Sequence, residues 1–359
     1  MQKNLALSNI FCYTYHMTFD ALCIGSLTMD TFFIGGDIQH SIEQINQSER
    51  AFLFPVGDKI TVESIVQHTG GGAANVASSL KKLGLDVGII STIGMDNFAE
   101  IIMKELHEKD INTTHVQQIT GENSSQSVVL MSDAGDRTVM HYKLTKGDIL
   151  APLRDKDTQA KMLYIGHIHE SAGILNNEVL SWKERSSGAK IMWNPGKTQF
   201  KEGVMAHKNL LNKVHTLILN TEELELFIGT ATEIKPAKDI LKHTTIINTD
   251  AYPNTLHNHK SLVQKLLNIG VQQVIVTGGN QGAFLYSSNN NDTLYIPPSP
   301  IKPTSTLGAG DAFSAGVVGA AHYGLDAATQ MRWGAANAEE VIQIFGAQEG
   351  QLSRAQMSQ

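Results

Sequence analysis

The stretch Thr304-Ser305-Thr306-Leu307-Gly308-Ala309-Gly310-Asp311-Ala312-Phe313 decides the reading of the chain. Gly308, Ala309 and Gly310 carry almost no side chain, and an Ala- and Gly-rich segment of helical character runs over 308–322. Small residues let backbone N–H groups approach an anion closely, and the positive end of a helix dipole strengthens the attraction. Asp311 falls in the first turn of that helix. A carboxylate there can take a proton from a hydroxyl while the neighbouring N–H groups stabilise charge on a transferring phosphoryl group. The loop alone is a weak signal, because an ordinary Gly-rich turn with Asp at a helix start has the same letters.

Two further segments far upstream have matching character. Gly71-Gly72-Ala73-Ala74-Asn75 stands between an extended segment and a helix in which Ala73, Val76, Ala77 and Leu80 follow helical spacing. Glycines there let a polyhydroxylated ligand touch the backbone, and Asn75 can both donate and accept hydrogen bonds. Gly25-Ser26-Leu27-Thr28-Met29-Asp30 follows the apolar run FDALCIG. Asp30 is therefore expected just past a first strand, at the crevice where α/β sheets bind ligands.

Between these landmarks the chain reads as alternating strands and helices. VGIISTIG (87–94), KMLYIGHIH, KIMWNP, HTLILN and VQQVIVTGG are strand-like and nearly all apolar, while 99–110, NNEVLSWKER, EELELFIG and 327–344 are helical. Such alternation predicts an α/β fold with a mostly parallel central sheet flanked by helices. Residues 31–68 break the pattern with short strand-like runs and are expected to form a small inserted β element. SQSVVLMSD and DRTVMHYK predict a strand pair joined by a turn over 133–136. The stretch 231–262 is expected to be partly irregular. Its histidines, His243, His257 and His259, lack metal-ligand spacing.

Bulk composition excludes several classes. The chain has 359 residues, 42% of them hydrophobic and 18% charged, with a net charge of -7, which suits a globular protein. Lys and Arg are scattered with no basic stripe, so no nucleic-acid partner is expected. No apolar run approaches the ~20 residues of a membrane span, so no membrane partner is expected. Cys12 and Cys23 read as free thiols of a reducing compartment. Residues 1–16 lack the pattern of a signal peptide and read as an N-terminal extension, which points to a cytoplasmic protein.

Taken in order, G-x-x-x-x-D after the first strand, G-G-x-x-x-N-x-A, N-x-x-E, T-x-G-x-x-G and G-A-G-D-x-F resemble the ribokinase (PfkB-type) family of carbohydrate and nucleoside kinases. The resemblance spans roughly 19–350, so that 17–350 form one ribokinase-like domain with a β lid at about 31–68. It implies ATP and Mg²⁺ as cofactors and a small-molecule sugar, sugar acid or nucleoside as acceptor. By motif match, Asp311 is implied as the catalytic base and Gly308, Ala309 and Gly310 as the anion hole. Asp30, Gly71, Gly72 and Asn75 match sugar contacts. Asn220 and Glu223 match the pair that organises Mg²⁺, largely through water, while Thr277, Gly279 and Gly282 match the nucleotide loop. Asn337 matches a position near the adenine. Arg137 is implied either to reach the substrate or close the lid, or to be a solvated hairpin residue. Gly94-Met95-Asp96-Asn97-Phe98 matches a segment of structural role. A homodimer through the lid is a further expectation, since apolar lid strands call for a partner surface.

The chain departs from the family at Ser305, where relatives often carry an Asp that helps to hold a monovalent cation; a neutral hydroxyl is a poorer ligand, so potassium activation is not expected. Lys146-Gly147-Asp148 replaces a common Gly-Ala pair. No cluster of Arg or Lys marks a second phosphate site in the sequence, which favours an unphosphorylated acceptor. His141, Lys143, His167 and His169 can line a sugar pocket or simply occupy sheet edges. Two other readings were weighed. A catalytically silent sugar- or nucleotide-binding regulatory protein of the same fold is opposed by intact Asp311, Asn220 and Glu223. A Rossmann dehydrogenase lacks its G-x-G-x-x-G, since SLTMD follows Gly25.

Overall fold

The computed structural model describes residues 18–44, 50–132, 137–229, 244–246, 259–288 and 293–358. The N-terminal extension with Cys12, the turn 133–136, His243, His257 and most of 231–262 lie outside the described residues.

The strands begin with β1 (Thr18–Ile24), β2 (Thr28–Ile34), β3 (Ile42–Gln44), β4 (Arg50–Phe52), β5 (Ser64–Gly70), β6 (Val87–Gly94) and β7 (Asn112–Ile119). They continue with β8 (Ser125–Met131), β9 (Arg137–Tyr142), β10 (Gln159–Ile165), β11 (Lys190–Trp193) and β12 (Val214–Asn220). The last are β13 (Thr244–Ile246), β14 (Gln273–Thr277), β15 (Ala283–Ser287) and β16 (Thr293–Ile296). The helices that build the site and its supports are α1 (Gly72–Lys82), α2 (Asn97–Glu108), α3 (Ala172–Arg185), α4 (Thr221–Ile228), α5 (Lys260–Ile269), α6 (Ala309–His322) and α7 (Ala327–Val341).

Ten of the described strands form one sheet in the order β13-β16-β15-β14-β12-β11-β10-β1-β6-β7. Among them β15 alone runs against the rest, being antiparallel to β14 and β16. The strands are apolar on both faces because helices cover both. In β1, Ala21 and Cys23 face one core while Leu22 and Ile24 face the other, the two-residue alternation of extended chain. The first core takes Val76 and Leu80 of α1, Ile102 and Leu106 of α2, Val317 of α6 and Met331 of α7. The second takes Val179 and Trp182 of α3, Phe227 of α4 and Leu266 of α5. Each such buried aliphatic side chain contributes about 1.5–3 kcal/mol.

β6 and β7 lie to one side of β1 and β10 to the other, so the connections diverge at β1 and open a crevice at the carboxyl ends of β1, β6 and β10. A separate four-stranded sheet, β5-β2-β8-β9, stands over it. This lid is wider than 31–68, for half of it comes from β8 and β9. Those two strands were legible as a pair, but their pairing is non-local: β2 runs parallel to β8 from Thr28↔Ser125 to Ile34↔Met131. Phe32 of β2, 1% exposed, packs edge-on against Phe345 at 4.7 Å and fastens the lid to the C-terminal segment.

Candidate active site

The site is built where α6 begins. Gly308 caps the helix with φ 76°, a left-handed conformation that favours glycine. A Cβ there would lie 2.7 Å from the Ala347 Cα, so both conformation and space require glycine. The Gly308 carbonyl accepts the Ala312 N–H at 2.8 Å and starts the helix. The N–H groups of Gly310 and Asp311 belong to the first turn and have no acceptor within the helix, which leaves them pointing at an anion position.

Asn75 Nδ2 donates to Asp311 Oδ2 at 2.8 Å. Its orientation is set by a relay. Lys109 can only donate, and its Nζ reaches Gln348 Oε1 at 2.6 Å. Gln348 Nε2 must then be the donor to Asn75 Oδ1 at 3.1 Å and to the Thr69 carbonyl at 2.7 Å. That leaves the Asn75 Nδ2 group facing Asp311. Burial pushes the Asp311 carboxyl up to about 6; the Asn75 N–H opposes this and the charge of Asp30 adds to it. A carboxyl poised near 6 is mostly ionised at neutral pH yet retains appetite for a proton.

Asp30 lies beyond the first strand, as expected, but in a second strand. It sits within lid strand β2, opposite His68 of β5 and Ser127 of β8. Burial raises its carboxyl, while a hydrogen bond from Ser127 and the nearby His68 pull it back. β5 leads into Gly71, which has φ 93° and whose Cβ would lie 2.4 Å from the Ser26 carbonyl. Gly72 N–H donates to Ser26 Oγ at 3.3 Å. A Cβ on Gly72 would stand 3.8 Å from Asp311 Oδ1, so this backbone borders that carboxylate directly. The fold thus brings Asp30, Gly71, Gly72, Asn75 and Asp311 to one place.

Asn220 and Glu223 form a reciprocal cap at the start of α4. Asn220 Oδ1 accepts the Glu223 N–H at 2.8 Å, and Glu223 Oε2 accepts the Asn220 N–H at 2.9 Å. Burial raises the Glu223 carboxyl, and the charges of Glu222 and Asp311 raise it further against hydrogen bonds from Asn220 and Asn194. Two carboxylates that repel across a gap, with an amide oxygen beside them, are a hard-oxygen donor set fit for Mg²⁺. Thr277 pairs with Asn220 across β14 and β12, and its Oγ1 donates to the Leu219 carbonyl at 3.5 Å. Gly279 and Gly282 lie in the tight turn that follows β14. These residues form the second half of the site, joined to the first through Asp311 and Glu223.

The geometry bears on three further expectations. Asn337 is fully buried and faces no cleft: its Nδ2 donates to Ser79 Oγ at 2.8 Å and to the Ala312 carbonyl at 2.7 Å, and its Oδ1 accepts the Leu352 N–H at 2.9 Å. It ties α7 to α1 and α6. Arg137 is no free hairpin residue, because it crosses from lid strand β9 to donate to Thr306 Oγ1 at 2.6 Å, just ahead of the anion loop. Ser305 is 5% exposed, and its Oγ accepts the Leu307 N–H at 3.2 Å, so the hydroxyl is already engaged in shaping the loop. Asp96 accepts from Ala99 N–H, Ser124 N–H and Ser124 Oγ at 2.7–2.8 Å and pins the approach to β8.

Reading the sequence missed Gln348 and Lys109, which belong to no motif. It also missed Asn194, which bonds both Glu223 and His167. A polar residue directly after the apolar run Ile191-Met192-Trp193 was the available signal. Among the described residues no group of three or more His, Cys, Asp or Glu converges as a metal site, and no helix is long and apolar enough to cross a membrane.

Residues 40–354 match the family model described as pfkB family carbohydrate kinase. The chain belongs to that family, whose members are phosphotransferases that act on hydroxyl groups and use ATP with Mg²⁺. It is 24% identical over 265 residues to the ATP-dependent 6-phosphofructokinase of Thermoanaerobacterium thermosaccharolyticum, with 72% of this chain and 74% of the relative covered. It is 24% identical over 301 residues to the 5-dehydro-2-deoxygluconokinase of Geobacillus thermodenitrificans, covering 80% and 81%. Among solved structures, Arabidopsis thaliana ribokinase complexed with ribose and ATP superposes with a TM-score of 0.69 at 19% identity, covering 95% and 98%.

Proposed function

We propose that the protein transfers the γ-phosphoryl group of MgATP to a hydroxyl of a sugar, sugar acid or nucleoside, with Asp311 as general base. The observation that carries this reading is Asp311 itself: a carboxylate raised to about 6, held by Asn75, in the helix turn whose free N–H groups frame an anion position.

The nucleotide, when bound, supplies the phosphoryl group, and its metal supplies neutralising charge. The protein residues do the rest. Asp30, the Gly71-Gly72 backbone and Asn75 bind acceptor hydroxyls. Asp311 takes the proton of the attacking hydroxyl. The amides of the loop formed by Gly308, Ala309 and Gly310 stabilise negative charge as it shifts onto transferring oxygens. Asn220 and Glu223 hold the metal largely through water, and Thr277, Gly279 and Gly282 border the nucleotide. The Arg137 contact to Thr306 supports a role for the lid in excluding water, whose attack would waste ATP.

Ser305 supports potassium independence, since its buried hydroxyl already accepts a backbone N–H and carries no charge for a cation. Ile65 of β5 and Val139, Met140 and Tyr142 of β9 are exposed apolar side chains on the two edge strands of the lid, which supports a homodimer through that sheet. Light scattering of the full chain tests this.

The decisive experiment is coupled ADP release from MgATP across sugars, sugar acids and nucleosides, with and without potassium. An acceptor-dependent rate lost in Asp311→Asn is the expected result. No acceptor-dependent rate in any arm, with ATP still bound, would leave a binding protein in its place.

A further inference from the structure

The fold gathers a basic cluster that no run of the sequence announces. Lys143, just after lid strand β9, lines a cleft together with His167 and His169 from the loop after β10. The cleft opens over the carboxyl ends of β1, β6 and β10. Lys197, after β11, faces the same group closely enough to act on both Lys143 and His167. His141 of β9 hydrogen-bonds Ser127 Oγ through Nδ1 at 2.8 Å, and Ser127 also bonds Asp30. The cluster therefore adjoins the acceptor residues and lies on the acceptor side of the base.

These groups repel one another. Burial lowers Lys143, and Lys197 lowers it further. His167 is pushed down to about 4 by burial, then by Lys143, His169 and Lys197, against a hydrogen bond with Asn194. His141 and His169 are lowered by burial and by Lys143. Little in the protein offsets this. Lys146 at the cleft mouth pairs with Glu122 at 2.7 Å. Glu170, whose carboxyl is raised by burial and by Asp148 against Arg154, is the single carboxylate among the cleft-lining residues. Among the described residues neither Lys143 nor Lys197 forms an ion pair. The lowered imidazoles are thereby neutral at neutral pH, so the like charges are those of Lys143 and Lys197, which stand near each other without counter-charge at a cost that an anion relieves.

We propose that Lys143 and Lys197, with ring N–H groups of His167 and His169, bind an anionic group of the acceptor, a carboxylate or a phosphate monoester. This inference rests on the kinase reading and narrows it. The acceptor places a hydroxyl at Asp311 and its anionic end at Lys143, which selects sugar acids or sugar phosphates over neutral sugars and nucleosides. Charge-assisted hydrogen bonds in a cleft that sheds water supply the discrimination.

The test uses matched pairs in ADP release: glucose against gluconate, and fructose against fructose 6-phosphate. Gluconate and inorganic phosphate are also titrated calorimetrically into the full chain, into Lys143→Met and into Lys197→Met. The anionic member of one pair is expected to exceed its neutral partner about 100-fold in kcat/KM. Lys143→Met is expected to raise its KM about 10- to 100-fold, with the loss falling on KM more than on kcat. The pair that responds tells carboxylate from phosphate. Turnover of a neutral acceptor only, with KM unchanged in Lys143→Met, overturns the anion site and leaves the kinase standing. Binding of gluconate or phosphate that needs Lys143, without turnover of either anionic sugar or any other acceptor, keeps the anion site and sinks the kinase reading. Thermal melts of both variants, which alter cleft side chains outside the core, report whether they fold.

Discussion

The Asn75 amide donates to Asp311 Oδ2 across 2.8 Å, a contact between residues 236 apart in the chain. It couples the helix that follows the lid to the helix that follows the anion loop. Because Lys109 dictates the orientation of Gln348, and Gln348 that of Asn75, the direction of the last hydrogen bond is fixed by a charge three residues removed from the base along the network.

Asp311→Asn removes the proton acceptor and preserves shape. Turnover is expected to fall by about 10² to 10⁴ while acceptor and nucleotide binding survive. Steady-state kinetics beside direct binding measurements check the split; near-normal turnover would assign the base elsewhere.

The pH profile follows from the raised carboxyl. Asp311 acts when ionised, so kcat/KM should climb through an acid limb near pH 6 and level off above it. The Asn75 N–H favours the ionised form, so Asn75→Ala moves that limb to higher pH. Gln348→Leu should move it the same way by freeing Asn75 to turn, which a purely structural loss would not do.

Stability carries the opposite sign. The folded carboxyl holds its proton more tightly than the unfolded one, whose ordinary value is 3.8, so folding loses stability as pH rises from about 4 to about 6. Asp311→Asn removes the loss and should stabilise the protein by up to about 3 kcal/mol at pH 8, and by little at pH 4. Denaturant midpoints of both proteins at the two pH values decide it.

Gly308→Ala forces a side chain into left-handed backbone and against Ala347. A stability loss of about 1–3 kcal/mol is expected from strain, with turnover down about 10²-fold as the amides leave the anion position. A variant with unaltered kinetics would remove this loop from the chemistry.

Arg137→Ala releases the lid from Thr306. A double-mutant cycle with Thr306→Val should give a coupling of about 0.5–1 kcal/mol. Arg137→Ala should also raise the share of ATP hydrolysed without acceptor. Strictly additive effects would show that the contact does not hold the lid.

The legible parts of the fold were those written locally. The apolar VGIISTIG became β6 at the expected residues, and the small-residue run with Asp311 became the start of α6, because strand burial and helix starts depend on neighbours in sequence. That Asp30 belongs to a lid strand was not legible, since Thr28-Met29-Asp30 carries no marker that separates a turn from a strand; its partners are Ser127 and His68, far along the chain. Asn337 matched a motif position by letter, yet its environment is decided by how α7 packs on α1. Of the cluster in the cleft, His141, Lys143, His167 and His169 were open to a pocket reading, while Lys197 carried no local marker. Each cation follows a different strand, and only the sheet order brings them to one cleft.

The lid has consequences for inheritance. β1 gives way to β2 through Gly25-Ser26-Leu27 alone, and β5 passes into the Asn75 helix through Gly71 alone. Three residues reach at most about 10 Å, so the lid can pivot on these links but cannot slide. A tilt of the lid therefore tilts the end of the helix that aims Asn75 at the base. A lid cannot be exchanged in such a protein as a cassette, because the graft would carry away the alignment of Asn75 with the Asp311 carboxylate.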